Sequence, residues 1–173
     1  MRVKKNVMED TMPLPQDINP IRAFADTLVK AGQGEWHETS PGQAWVKVLW
    51  TAEESGTWAV IFRWNKGYVA APHKHLSGAH VYIIKGKLQV RDGLLETGDY
   101  VYEPNGVLHG ATTALEDTDY LFICNGPLIF HSDDAFTSYL SWEEFERMRL
   151  KGGEGAKAVS AGARIIKVPE PAE

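Results

Sequence analysis

The chain has 173 residues, a formal net charge of −5 and a hydrophobic fraction of 43%, which suits one globular domain with extensions. The acidic balance predicts no nucleic-acid partner, and no stretch approaches the ~20 apolar residues of a membrane span. The basic start at 1–6 is not followed by the apolar segment of a signal peptide. With a lone cysteine, Cys124, inside an apolar run, these features predict a cytoplasmic protein with a buried thiol.

Residues 1–43 predict an extended arm followed by a short helix. The first 18 residues contain two prolines and no sustained period, as in an extended segment. Asn19 and Pro20 are typical of a helix start. Apolar residues then follow at helical spacing as far as Gly32, at Ile21, Phe24, Ala25, Leu28 and Val29.

From residue 44 onward the sequence predicts β-strands. Short apolar and aromatic runs alternate with Gly, Pro, Asn and Asp, at 44–50, 57–64, 68–75, 80–85, 87–91, 100–103, 108–113, 120–124 and 128–130. Asp92-Gly93 predicts a tight turn after the alternating run 87–91. Because no helix separates these runs, we expect an all-β domain, mainly antiparallel, closed as a barrel or sandwich.

The β region is followed by a predicted helix and a tail. Ser141 and Glu144 have the spacing of a capping box, and Trp142, Phe145 and Met148 follow at helical spacing before Gly152. We expect this helix to cover one end of the barrel. The predicted organisation is therefore an arm and helix at 1–43, a barrel with its closing helix at 44–151, and a tail at 152–173 that is flexible or forms a strand at 165–168.

Two histidine motifs lie inside the β region. In the first, Gly67 precedes His73-x-His75 and Gly86 follows; the second is Gly98-x5-Pro104-x-Gly106-x2-His109. Histidines one residue apart on a strand leave the same face, and a third arrives on another strand. Neutral imidazoles bind first-row divalent ions, so His73, His75 and His109 are predicted metal ligands.

The two motifs together resemble those of the cupin superfamily, whose fold is a jelly-roll barrel, the double-stranded β-helix. The glutamate of the first cupin motif is missing, and Ala79 or His80 stands in its place. The stretch from His73 to Gly86, with 100–104, is similar to the acetylacetone-cleaving and 2,4'-dihydroxyacetophenone dioxygenase group. The similarity covers about residues 45–149.

This resemblance implies a non-haem Fe(II) held by His73, His75 and His109 without a carboxylate, with zinc, manganese and nickel as alternative ions. It implies C–C cleavage beside a carbonyl, with O2 and a small β-dicarbonyl or hydroxyketone as substrates, in a homodimer or homotetramer. Two other functions stay open: a zinc- or manganese-dependent isomerase or hydrolase, and a non-catalytic metal-binding sensor domain.

Three further residues are candidates for the catalytic machinery. His80 could be a fourth ligand or line the pocket, and Glu103 could orient a ligand imidazole or bond a substrate hydroxyl. Tyr82 is a candidate wall residue, together with Trp58, Phe62, Trp64, Tyr102 and Phe122. His37 and His131 lie outside both motifs and are expected at the surface or at a helix end.

Overall fold

The computed structural model describes residues 27–91, 93–132 and 135–151, which form fourteen strands and one helix. The strands are β1 (Trp36–Ser40), β2 (Ala44–Ala52), β3 (Thr57–Trp64), β4 (Val69–Ala70), β5 (His73–His75), β6 (Ala79–Lys85), β7 (Lys87–Val90), β8 (Gly93–Glu96), β9 (Tyr100–Glu103), β10 (Leu108–His109), β11 (Thr112–Ala114), β12 (Thr118–Cys124), β13 (Leu128–His131) and β14 (Phe136–Leu140). The helix is α1 (Trp142–Lys151).

The strands form three antiparallel sheets that surround one cavity. The largest has the order β1-β2-β3-β12-β6-β9, and the two four-stranded sheets are β10-β5-β13-β14 and β4-β11-β7-β8. All three sheets and α1 contribute residues to the cavity wall. The predicted all-β architecture is confirmed, because these strands are joined without helical crossovers.

Strand β12 shows how the sequence divides the two faces of the largest sheet. Its residues alternate between buried and half-buried from Thr118 to Cys124, the pattern of a strand with one face in the core. Phe122 and Cys124 pair with Val60 and Trp58 of β3, and all four side chains are buried. The prediction that Cys124 is buried is confirmed.

Helix α1 begins where the capping box predicts it. Glu144 Oε2 accepts hydrogen bonds from the Ser141 backbone N–H (2.9 Å) and from its hydroxyl (2.8 Å), which satisfies donors at the helix start. On the inner side of the helix Phe145 and Met148 are buried, and the Phe145 ring packs 4.5 Å from the Trp58 ring. The helix therefore covers the core as expected.

The N-terminal part differs from the prediction. Residues 27–30 are not helical, and the rest of the predicted helix and arm lies outside the described residues, as does the tail. Strand β1 falls within residues 1–43, which were predicted to contain only an arm and a short helix. Its mixed polar sequence gives a weak strand signal, and pairing with β2 stabilises it. His37 on this strand is only 3% exposed, so the expectation of a surface position was wrong.

Among the described residues, no helix has the length and apolar character needed to cross a membrane.

Candidate metal centre

The structure brings the three motif histidines together. His73 on β5 lies directly opposite His109 on β10, and His75 follows two residues later on the same face of β5. The three ring centroids are 4.9–5.2 Å apart, and one potential ligand atom from each histidine lies within 4.8 Å of the other two. The three imidazoles are therefore close enough to surround one ion.

The spacing of the second motif has a direct structural reason. Gly106 has a positive φ of 89° and donates its backbone N–H to the His75 carbonyl at 3.0 Å, while the His75 N–H donates to the Val107 carbonyl at 3.0 Å. The turn between Pro104 and His109 is thus hydrogen-bonded to the strand that bears the other two histidines. These bonds fix where the third imidazole enters the cluster.

A backbone contact determines the tautomer of His73. Its Nδ1 lies 3.0 Å from the Ala71 carbonyl oxygen, and because a carbonyl can only accept, Nδ1 carries the hydrogen. The lone pair is then on Nε2, which is free to bind a metal. Such a second contact on the far ring nitrogen is common in metal-ligating histidines.

His75 is the most enclosed of the three. It is 0% exposed, and neither ring nitrogen has a hydrogen-bond partner among the described residues. Burial, and then the neighbouring His73 and His109, lower its pKa to about 3. A buried neutral imidazole without a partner is costly unless something satisfies its lone pair, so this donor set fits a divalent ion.

A carboxyl group reaches the cluster from the second motif. Glu103 Oε1 lies 3.3 Å from His109 Nε2 and Glu103 Oε2 lies 3.6 Å from His75 Nε2. Burial raises the pKa of Glu103 to about 7. Glu103 therefore places a carboxyl group beside two of the three histidines.

His80 and Tyr82 are not brought to this cluster. On β6 the residues Ala79, Val81 and Ile83 are buried, whereas Tyr82 between them is 45% exposed, so His80 and Tyr82 project from the opposite face. His80 Nδ1 instead lies 2.7 Å from the Tyr100 hydroxyl. The Ser77-Gly78 turn left this orientation unreadable in the sequence, and within one chain neither side chain faces the cavity.

His73 and His109 border a cavity of about 300 Å³ with largely apolar walls. Of the predicted wall residues, Phe62, Trp64 and Phe122 line it, whereas Trp58 is buried in the core and Tyr102 projects outward with Tyr82. Tyr68 and Tyr120 also line the cavity and were missed, although Tyr120 lies in the recognised strand run. Burial raises the pKa of both phenols, so they are protonated hydrogen-bonding groups.

An antiparallel barrel that encloses three converging histidines and an apolar cavity is a cupin fold. Within this fold class, residues 25–129 match the family model of the ChrR cupin-like domain. The chain belongs to that family.

Similar proteins support the same assignment. The acetylacetone-cleaving enzyme of Acinetobacter johnsonii is 30% identical over 110 residues, which cover 60% of this chain and 71% of that enzyme. Among solved structures, an acetylacetone dioxygenase from the same organism has a TM-score of 0.68 at 22% identity and covers 83% of this chain and 99% of its own. An RmlC-like cupin from Ralstonia eutropha has a TM-score of 0.66 at 19% identity, with 80% and 90% covered. The structural matches establish the fold.

Proposed function

We propose that this protein is a three-histidine, metal-dependent dioxygenase that cleaves a C–C bond beside a carbonyl in a small β-dicarbonyl or hydroxyketone. The convergence of His73, His75 and His109 on one point at the cavity wall is the observation that carries the proposal. The kinship with an acetylacetone-cleaving enzyme supports the reaction class.

The proposed ligands are His73, His75 and His109, and the proposed ion is Fe(II). Imidazole also suits zinc, nickel and copper, so the donor set alone does not select iron. The similarity to an acetylacetone-cleaving enzyme supports an ion that can react with O2, and iron is proposed on that ground. When bound, the ion supplies a Lewis-acidic, redox-active centre that keeps its full 2+ charge, because all three proposed ligands are neutral.

The cavity explains why a small, mainly apolar substrate fits. Its volume of about 300 Å³ is at the lower end for ligand pockets. Phe62, Phe122 and Phe130 line it and exclude water from the reacting end, and the His75 and Phe122 rings lie 6.0 Å apart. Among the described residues no Lys or Arg lines the cavity, so an anionic enolate would find its main positive charge at the metal.

Glu103 is proposed to position the substrate. Its two oxygens lie beside His109 and His75, where they can accept a hydrogen bond from an enol or hydroxyl group of the substrate. His80 and Tyr82 are given no part in the chemistry, because they lie on the outer face of β6.

The overall reaction balances without an external reductant. A β-diketone R–CO–CH2–CO–R′ and O2 give one carboxylic acid, R–COOH, and one oxo-aldehyde, R′–CO–CHO. One C–C bond breaks and each product gains one oxygen atom. Both atoms of dioxygen therefore enter the products, and one O2 is consumed for each substrate.

Oxygen uptake tests this proposal. Iron-loaded protein is supplied with a panel of β-diketones and hydroxyketones, and O2 consumption is compared with substrate loss and ¹⁸O content of the products. We expect one compound of the panel to be consumed in a 1:1 ratio with O2. The Glu103→Gln variant should have a reduced kcat/KM for that compound but an unchanged iron content. Iron-loaded protein that consumes no O2 with any of them would instead support the non-catalytic sensor domain, and activity that needs zinc but no O2 would support the hydrolase or isomerase.

A further inference from the structure

Two phenols line the cavity without a hydrogen-bond partner. Tyr120 on β12 is only 5% exposed, Tyr68 just before β4 is half-buried, and both contribute to the cavity wall. Neither hydroxyl makes a hydrogen bond to any residue that the structure describes. Because buried polar groups are almost always paired, these two hydroxyls indicate a hydrogen-bonding group that a ligand supplies.

Aromatic packing fixes the positions of the two phenols. Each of their rings lies 4.9 Å from the Trp64 ring, and the Tyr120 ring also lies 5.3 Å from the ring of Phe62. The two phenols are near enough to interact electrostatically. We call Tyr68 and Tyr120 the tyrosine pair. Since packing already orders these side chains, a ligand that accepts their hydrogen bonds loses little free energy in ordering them.

The tyrosine pair lies away from the histidine cluster. The Phe122 ring is 6.0 Å from the His75 ring, and the Tyr120 ring, at the next inward position of β12, is 6.5 Å from the Phe122 ring. Phe122 therefore separates the Tyr120 phenol from the proposed ion. A ligand that is bound to the ion and also reaches the tyrosine pair must extend past Phe122 with a tail of several atoms.

The cavity has room for such a tail. Its volume is about 300 Å³, twice the roughly 150 Å³ that holds one benzene molecule. At the same density it accommodates about twelve non-hydrogen atoms, against about seven in acetylacetone, the simplest β-diketone. The volume that acetylacetone would leave empty is enough for a short chain with a polar group.

The charges on the cavity wall restrict what that polar group can be. Among the described residues the wall carries two acidic side chains, Glu103 and Glu144, and no Lys or Arg. A carboxylate tail would therefore lose its hydration without meeting a cation. Burial raises the pKa of both phenols of the tyrosine pair, so each keeps its hydrogen and can donate it. A carbonyl oxygen has two lone pairs and can accept from both hydroxyls.

We propose that the tyrosine pair is a second binding position for the substrate, and that it takes an uncharged carbonyl oxygen, as in an ester, ketone or amide, at the end remote from the metal. This inference rests on the proposed function for the metal-bound end of the substrate. It adds that the substrate is longer than acetylacetone and carries a further, neutral oxygen group.

Equilibrium binding to Zn(II)-loaded protein tests the proposal, because zinc holds the ligand without consuming it. The ligands are the methyl esters of 4,6-dioxoheptanoate, 5,7-dioxooctanoate and 6,8-dioxononanoate, which place the ester at three distances from the diketone. Each is compared by calorimetry with the alkyl dione of equal length, such as nonane-2,4-dione for the shortest ester, and with the free acid. We expect the ester of one length to bind about tenfold more tightly than its alkyl analogue. Its free acid should bind at least tenfold more weakly than the ester.

Two conservative variants assign the effect to the tyrosine pair. Tyr120→Phe and Tyr68→Phe each remove one hydroxyl and keep the ring, so each should reduce the preference for the ester over the alkyl dione about threefold. Binding of the alkyl dione should hardly change. The matched control is Tyr82→Phe, because Tyr82 projects from the outer face of β6, and it should leave the preference at the wild-type value.

Two results would overturn the proposal. One is that the esters of all three lengths bind no more tightly than their alkyl analogues. The other is that the preference survives in both phenylalanine variants while their circular dichroism matches the wild type. Oxygen uptake by the iron-loaded protein is recorded separately, so the two proposals can fail independently. A preference for the ester without O2 uptake would count against the dioxygenase alone, and O2 uptake without that preference would count against the second binding position alone.

Discussion

His73 and His109 face each other across β5 and β10, with ring centroids 5.0 Å apart. One comes from the first glycine-bounded motif and the other ends the second. Between them lie 35 residues, which include the four complete strands β6 to β9 and the turns that connect them. The pair joins the two motifs at the wall of one cavity. Its consequence is that loss of either histidine should affect the same ion.

Replacing His109 with alanine should remove metal. Loss of one of three protein ligands is expected to lower metal affinity at least about 100-fold, beyond the 10- to 100-fold typical of outer-shell changes. Metal content after purification and titration of the metal-free protein with Fe(II) or Zn(II) measure the effect. His131→Ala is the control, because His131 interacts electrostatically with His73 but is not one of the clustered histidines. Wild-type metal content in His109→Ala would refute the ligand assignment.

Replacing Gly86 with alanine should destabilise the barrel. Gly86 has a φ of 93°, and an added Cβ would lie 2.5 Å from the Asp117 carbonyl and from Thr118 Oγ1. We expect a loss of about 2–3 kcal/mol in the free energy of unfolding, from backbone strain and displacement of Asp117. Gly42→Ala separates the two causes, since Gly42 has a φ of 63° but open space around it; it should cost only about 1 kcal/mol. Equal losses in urea unfolding would argue against the steric contact.

His75 should make the metal-free fold less stable on mild acidification. The pKa of His75 is lowered from 6.5 to about 3 in the folded chain, so below pH 6.5 the unfolded chain binds a proton that the folded chain does not. The contribution of His75 to stability is fully present above 6.5 and falls as the pH drops towards 3, with a slope of about 1.4 kcal/mol per pH unit. Glu103 opposes it, because burial raises the pKa of that carboxyl from 4.5 to about 7 and the folded chain takes up its proton first as the pH falls. Chemical unfolding is therefore followed in metal-free Glu103→Gln protein, where a loss of about 2 kcal/mol is expected between about pH 7 and pH 5. Adding His75→Gln should flatten this dependence; a Glu103→Gln protein whose stability is constant or rises on acidification would contradict it.

Tyr120 should influence which substrates bind. Its phenol is buried, lines the cavity and is the next inward side chain after Phe122 on β12, with the two ring centroids 6.5 Å apart. Tyr120→Phe should raise KM about tenfold for a substrate with a second oxygen within hydrogen-bonding reach of this phenol, the effect of one lost hydrogen bond. It should hardly change KM for the analogue without that oxygen. An equal change for both would indicate altered packing instead.

The sequence predicted the parts of this structure that depend on local pattern. Alternation and turn residues gave most of the strands, Ser141 and Glu144 gave the start of α1, and the spacing of the two motifs gave the histidine cluster. Strand β1 was not predicted, because an edge strand with a mixed composition gains its stability from its partner strand rather than from its own residues. Pro72 and Gly110 interrupt what the sequence presented as two continuous runs, so each run became two short strands.

The environment of the cluster was harder to predict than its members. The face on which His80 and Tyr82 project depends on the strand register after the Ser77-Gly78 turn, and a shift of one residue reverses every side chain. Glu103 was identified as a candidate, but its distance from His75 and His109 depends on how β9 pairs with β6. Tyr68 could be placed in the cavity wall only once the sheets were closed around it.

Metal content combined with oxygen consumption tests the central claim most directly. Protein purified without oxygen is loaded with Fe(II), and bound iron is quantified before O2 uptake is recorded with a β-diketone, beside the His109→Ala variant. The account predicts about one iron per chain, one O2 consumed per substrate cleaved, and loss of both in the variant. A wild-type protein that binds iron through these histidines yet consumes no O2 with any diketone or hydroxyketone would contradict the dioxygenase, and equal iron binding by the variant would contradict the site.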